Sequence, residues 1–114
     1  MIEQVSPSGL KSWLDDASTG GAKPFVLDVR EGWELQTASV RAEGFELVAI
    51  PMGEIPRRLS ELDSARPVAC LCHHGGRSQR VAMFLEQQGF GRVANIAGGI
   101  DAWSLECDPA VPRY

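Results

Sequence analysis

The amino-acid sequence predicts an α/β domain built on a small parallel sheet. Four short apolar runs, Phe25–Val29, Leu47–Ile50, Val68–Cys72 and Val93–Ile96, recur along the chain. They are Val-rich, continuous and bounded by Gly or Pro, which suits strands buried on both faces. Between the runs the apolar spacing becomes helical. Alternating strands and helices place helices on both faces of the sheet through right-handed crossovers. The 114 residues suffice for one domain.

Each element has its own local signal. Ile2–Val5 is a weaker strand candidate. Pro7 and Ser8 lead into a helix marked by Leu10, Trp13 and Leu14, with Ser8 as its N-cap and Gly20-Gly21 as its stop. After the Phe25–Val29 strand, Glu31 to Ala38 forms a short helix carrying Trp33. After Leu47–Ile50, a helix from Gly53 to Leu62 places Ile55, Leu59 and Leu62 on one face. After Val68–Cys72, Ser78 to Gln88 is the clearest helix, with Val81, Phe84, Leu85 and Gln88 aligned and Gly89 beyond its end. After Val93–Ile96, Gly98-Gly99 turns the chain into a last helix at Ile100–Leu105. Prolines extend the segment from Asp108 to Pro112. The single domain covers 1–114, with a core at about 2–105 and a tail at 106–114.

Composition narrows the function classes. Apolar residues make up 44% and charged residues 23%, as in a folded globular chain. Fifteen acids against eleven Lys and Arg give a net charge of −4, which argues against nucleic acid or an anionic membrane as partner. No apolar run approaches the ~20 residues of a membrane helix. Met1 to Ser8 has neither the basic lead nor the apolar stretch of a secretory signal. Three cysteines do not make a disulfide framework. The expectation is a reduced, cytoplasmic protein.

In open parallel sheets the site lies beyond the carboxyl ends of the strands, here just after Val29, Ile50, Cys72 and Ile96. The chemistry concentrates in Val68-Ala69-Cys70-Leu71-Cys72-His73-His74-Gly75-Gly76-Arg77-Ser78. A buried strand ends at Cys72, a Gly-rich loop follows, and a helix starts near Ser78. A free thiol titrates near ~8.5, so only ~3% is ionised at pH 7. Unpaired N–H groups at a helix start favour an anion. Gly75 and Gly76 let successive amides turn inward as a nest, and Arg77 adds a positive charge. Each effect favours thiolate over thiol, and the same amides suit an anionic substrate or leaving group. Cys72 therefore reads as an activated nucleophile. That reading requires an accessible side chain at position 72.

The neighbours have plainer readings. Cys70 is a small buried apolar residue, and Cys107 has nothing arranged around it. Cys70, Cys72, His73 and His74 are metal-ligand types, but the chain offers no second pair to close a zinc site, so no metal is expected. His73 and His74 line the pocket mouth as polar or partly charged groups, or are exposed loop side chains. Arg30 either helps bind an anionic donor or forms an ion pair beneath the loop. Asp28 caps nearby amides. Trp33 and Trp103 pack into the core, and Arg57-Arg58 is a solvated helix face.

Cys72-His73-His74-Gly75-Gly76-Arg77-Ser78 resembles the active-site loop of rhodanese-like sulfurtransferases, Cys-x-x-Gly-x-Arg-Ser/Thr. Leu27-Asp28-Val29-Arg30-Glu31 with Trp33-Glu34 is similar to the family's Asp-Val-Arg-Glu motif. Ile50-Pro51-Met52 with Glu54-Ile55 resembles the segment entering its middle helix. Ala97-Gly98-Gly99-Ile100-Asp101-Ala102-Trp103 resembles its closing Gly-Gly-x-x-Ala-Trp motif. Four motifs in order cover essentially the whole chain. One departure stands out: many members carry Gly-His-Ile-x-Gly-Ala before the third strand, whereas Ser39 to Glu46 has no histidine.

The resemblance implies a five-stranded parallel sheet wrapped by helices. It implies a Cys72 persulfide, formed from thiosulfate or a persulfide and discharged to a thiol or cyanide, with His73 to Ser78 holding the anion. A small-molecule donor, a thiol acceptor and a protein thiol partner all fit; no cofactor is implied. Three other classes compete. One is a sulfur carrier with little small-molecule turnover, and another is a docking module. The third is a cysteine phosphatase or arsenate reductase, whose loop has five residues between Cys and Arg, where this chain has the four from His73 to Gly76.

Overall fold

Strands β1 (Glu3–Val5), β2 (Phe25–Asp28), β3 (Glu46–Ala49), β4 (Val68–Leu71) and β5 (Val93–Ile96) form one parallel sheet in the order β1-β5-β4-β2-β3. They belong to a computed structural model that describes residues 2–40 and 45–112. β2, β4 and β5 are buried at every residue, which explains their unbroken apolar runs. β1 is an edge strand with exposed Glu3 and Gln4, hence its weak signal. Helices α1 (Leu10–Ser18), α2 (Gly32–Thr37), α3 (Gly76–Gln87) and α4 (Gly99–Glu106) complete the α/β architecture.

The strand pleat sorts side chains between two cores. Ala69 and Leu71 of β4 join Leu10, Trp13 and Leu14 of α1 and Ile100 and Trp103 of α4. Val68, Cys70 and Cys72 join Val81, Ala82 and Leu85 of α3 on the other face. Cys72 thus points to the α3 side, one residue beyond the end of β4.

Several expectations change. Ser6, not Ser8, caps the start of the first helical segment: its side chain accepts from Gly9 N–H, and a 3-10 turn at Pro7–Gly9 precedes α1. No continuous helix forms from Gly53 to Leu62. Two 3-10 turns, Met52–Glu54 and Leu59–Glu61, replace it, because Pro56 lacks the N–H a helix interior needs and its ring crowds the preceding turn. Arg57 and Arg58 there make surface ion pairs with Glu54 and Glu61. Trp33 is not in the core but 64% exposed, whereas Trp103 is buried. After α4 the chain turns: Val111 N–H donates to Asp108 carbonyl, Ser104 hydroxyl donates to Val111 carbonyl at 2.6 Å, and Val111 is buried.

The first turn of α4 is bonded to the loop after β4. Ile100 N–H donates to the Cys72 carbonyl at 2.8 Å and Asp101 N–H to the His73 carbonyl at 3.1 Å. The approach is so close that a Cβ on Gly99 would lie 2.4 Å from Cys72 O and 2.5 Å from His73 O, and Gly99 has φ +59°. Gly99→Ala is therefore expected to lower unfolding free energy by ~2–4 kcal/mol in urea titrations, from overpacking and backbone strain together.

Candidate active site

β4 delivers Cys72 to the carboxyl edge of the sheet, between β2 and β5. Gly75 then adopts φ +105° and serves as the N-cap of α3, which reverses the chain over the sulfur. Gly75 N–H donates to Cys72 Sγ at 3.1 Å, and Ser78 Oγ lies 3.2 Å from the same sulfur. Both groups come from the first turn of α3 or its cap, where the helix dipole favours negative charge. α3 begins at Gly76, two residues earlier than the apolar pattern indicates, so Arg77 and Ser78 are helical.

Arg77 is not a bare charge beside the sulfur. Its guanidinium holds the Glu34 carboxylate through two bonds of 2.6 and 2.7 Å. Glu34 is buried, and its side chain also accepts from the Glu31 N–H in a capping box at the start of α2. The pair ties α2 to α3 and balances the cation locally. Gly75 N–H and the Ser78 hydroxyl lie within hydrogen-bond distance of the sulfur.

Asp28 and Arg30 form a second brace. Arg30 is fully buried, with its Nε and Nη2 donating to Asp28 at 2.9 and 2.8 Å and its backbone N–H to Asp28 Oδ1 at 3.1 Å. Nη1 reaches the Glu34 carbonyl at 3.3 Å. A guanidinium so engaged braces the loop after β2 and presents no face to a donor molecule.

His73 and His74 stack with ring centroids 3.9 Å apart and planes 24° from parallel. His73 is half-buried and His74 exposed. With Asp101 they bring ligand-type atoms within 4.8 Å of one another.

An accessible thiol is what a nucleophile requires, yet Cys72 is only 1% exposed. The sulfur sits at the floor of the loop, beneath its own amides. Residues 41–44, within the stretch that lacks the expected histidine, lie outside the described residues. Cys107 is exposed, and Cys70 is buried in the α3-side core.

Asn95 went unnoticed in the sequence because it sits inside the apolar run of β5. It is buried, and its Oδ1 lies 2.5 Å from Ser78 Oγ. A polar amide within an otherwise apolar strand was the available signal.

A parallel α/β sheet that presents a cysteine to the N-terminus of the following helix defines a class of thiolate-loop domains. The rhodanese-like domain model matches residues 6–106, and the chain belongs to that family. A sulfurtransferase of Allochromatium vinosum is 39% identical over 111 residues, covering 97% of this chain and 96% of that protein. Thiosulfate sulfurtransferase GlpE of Actinobacillus pleuropneumoniae is 47% identical over 89 residues, 78% of this chain and 79% of that one. The chain spans only 30% of the Rhodanese-like/PpiC domain-containing protein 12, chloroplastic, of Arabidopsis thaliana, at 41% identity over 93 residues and 78% of this chain. The crystal structure of a rhodanese-related protein from Thermoplasma volcanium superposes with a TM-score of 0.76 at 28% identity, over 99% of this chain and 100% of that one.

Burial pushes the Cys70 thiol well above its ordinary 9.0, with the neighbouring Cys72 adding to the rise. In the unfolded chain Cys70 ionises near 9.0, while the folded one keeps its proton. The unfolded state is favoured once it alone loses that proton, so stability should fall as pH rises above about 9. Urea midpoints measured from pH 7 to 10 should show this decline, and Cys70→Val should flatten it.

Proposed function

We propose that this chain is a sulfurtransferase that carries sulfane sulfur on Cys72. The observation that carries the reading is a sulfur at the end of β4 with Gly75 N–H and the Ser78 hydroxyl both within hydrogen-bond reach of it. In the first half-reaction the Cys72 thiolate attacks the outer sulfur of thiosulfate. The S–S bond of the donor breaks, sulfite leaves with the bonding pair, and a Cys72 persulfide anion remains. In the second, a thiolate or cyanide attacks the terminal sulfur, becomes a persulfide or thiocyanate, and returns the electron pair to Cys72. The donors that face Sγ, with the remaining 73–78 amides, suit the extra sulfur, which is itself anionic. The relatives named sulfurtransferases support this assignment.

The phosphatase reading fits less well. Four residues separate Cys72 from Arg77, and the Arg77 guanidinium is committed to Glu34. A tetrahedral oxyanion needs a wider loop and a donor that faces it. The cover over Cys72 favours one variant of the main proposal, a carrier that exchanges sulfur with a protein thiol able to open the loop. The role is cytoplasmic on this reading. Among the described residues no helix is long and apolar enough to cross a membrane.

Intact-mass measurement after incubation with thiosulfate, or with a glutathione persulfide, should show one added sulfur atom, removed by cyanide or a thiol. Cys72→Ser should gain none and lose turnover by about 10³-fold or more. If neither donor adds sulfur to the folded protein, the assignment fails. If the persulfide adds sulfur and thiosulfate does not, the carrier variant stands. An aryl phosphate tested beside them should not be hydrolysed.

A further inference from the structure

A chain of side-chain contacts runs from the surface to the nucleophile. Gln4 Nε2 donates to Gln79 Oε1 at 2.6 Å, Asn95 Nδ2 donates to Gln4 Oε1 at 3.0 Å, and Ser78 Oγ donates to Asn95 Oδ1 at 2.5 Å, 3.2 Å from Cys72 Sγ. Strand register builds it: Gln4 pairs with Asn95 across β1 and β5, and Asn95 with Cys70 across β5 and β4, so all three stand on the α3 face.

Ser78 has one hydroxyl proton and three acceptors in reach, Asn95 Oδ1 at 2.5 Å, Cys72 Sγ at 3.2 Å and the Gly75 carbonyl at 3.2 Å. In the arrangement above that proton goes to the nearest of them, Asn95. The hydroxyl oxygen is then able only to accept, which suits a protonated Cys72. An ionised sulfur needs the proton turned toward it instead. Asn95 allows this, because a carboxamide rotated by half a turn offers N–H where it had offered oxygen. The rotated Asn95 donates to Ser78 Oγ, Gln4 donates to Asn95, and Gln79 donates to Gln4. Every heavy-atom contact survives with its direction reversed. Rotations alone achieve this, and the only proton lost is that of Cys72, to solvent.

We infer that Asn95 is a positioning residue whose amide orientation sets whether Ser78 accepts from the Cys72 thiol or donates to the Cys72 anion, with Gln4 relaying that orientation from the surface. The inference rests on Cys72 being the attacking sulfur, and it extends that reading to how the sulfur is held in each charge state. Asn95 itself acts through Ser78 and touches no substrate.

Gln4 is exposed and tolerates substitution without burying a charge. Gln4→Glu leaves an acceptor that fixes Asn95 in the thiol orientation. Gln4→Lys leaves a donor that fixes it in the anion orientation. The test is the rate of Cys72 alkylation by iodoacetamide against pH, in 0.5 M salt or more to screen direct charge effects. The other charged or titratable groups on the elements meeting at the loop are Glu3 of β1, Asp28 and Arg30 at the end of β2, Glu31 and Glu34 of α2 and its cap, Cys70 of β4, His73 and His74 of the loop, Arg77, Arg80 and Glu86 of α3, and Asp101 and Glu106 of α4, and these variants leave all of them unchanged. Gln4→Lys should react faster than Gln4→Glu by about tenfold at low pH, the worth of one hydrogen bond, and the two should converge at high pH where the sulfur is fully ionised.

Ser78→Ala or Asn95→Ala cuts the chain and should erase the difference. Equal rates for the two Gln4 variants overturn the inference, as does a difference that persists in either cut background. Ser78→Ala decides alone if the buried Asn95→Ala does not fold by circular dichroism. Alkylation reads ionisation and needs no sulfur donor. A protein that accepts no sulfur yet shows the Gln4 difference sinks the sulfurtransferase reading and leaves the amide chain standing.

Discussion

The approach of α4 to the loop after β4 is the constraint on which the site depends. Two amides at the first turn of α4, those of Ile100 and Asp101, satisfy the carbonyls of Cys72 and His73. Those carbonyls end a central strand and lie in a crowded place, where an unsatisfied group costs about 1–3 kcal/mol. The contact requires a residue with no side chain at 99. With those carbonyls fixed on one side, the chain is led round to Gly75, whose N–H reaches Sγ at 3.1 Å. A helix far along the chain therefore sets the direction of the dipoles around the sulfur.

Two ion pairs hold the rest of the rim. Asp28 with Arg30 closes the turn after β2, and Glu34 with Arg77 joins the start of α2 to the start of α3. Removing one partner of a buried pair is far more harmful than the net gain from forming it. The pairs thus serve geometry more than total stability. They commit two guanidinium groups to carboxylates, while the groups bonded to the sulfur, Gly75 N–H and the Ser78 hydroxyl, are neutral. Neutral donors accommodate either charge state of a sulfur without a permanent counter-ion to displace.

Much of this was legible in the sequence, for identifiable reasons. Central parallel strands are apolar at every position, so β2, β4 and β5 announced themselves, and Cys72 followed from its place at the end of β4. The Gly-rich spacing to Arg77 and Ser78 exposed the loop. The helix expected at Gly53–Leu62 shows where pattern misleads: Ile55, Leu59 and Leu62 have helical spacing, but Pro56 overrides it. Trp33 misled in another way, since residue type implies burial only on average. The pairing of Arg77 with Glu34, and of Asn95 with Ser78, depends on which elements become neighbours in space. No local pattern encodes that.

Burial of Cys72 and the polarity of its surroundings belong to one account. A sulfur open to water would have either charge state solvated by water, wherever the loop happened to lie. Under the 73–78 segment water is largely excluded, so the orientation of each dipole matters more. The stacked His73 and His74 rings, half-buried and exposed respectively, belong to that same segment.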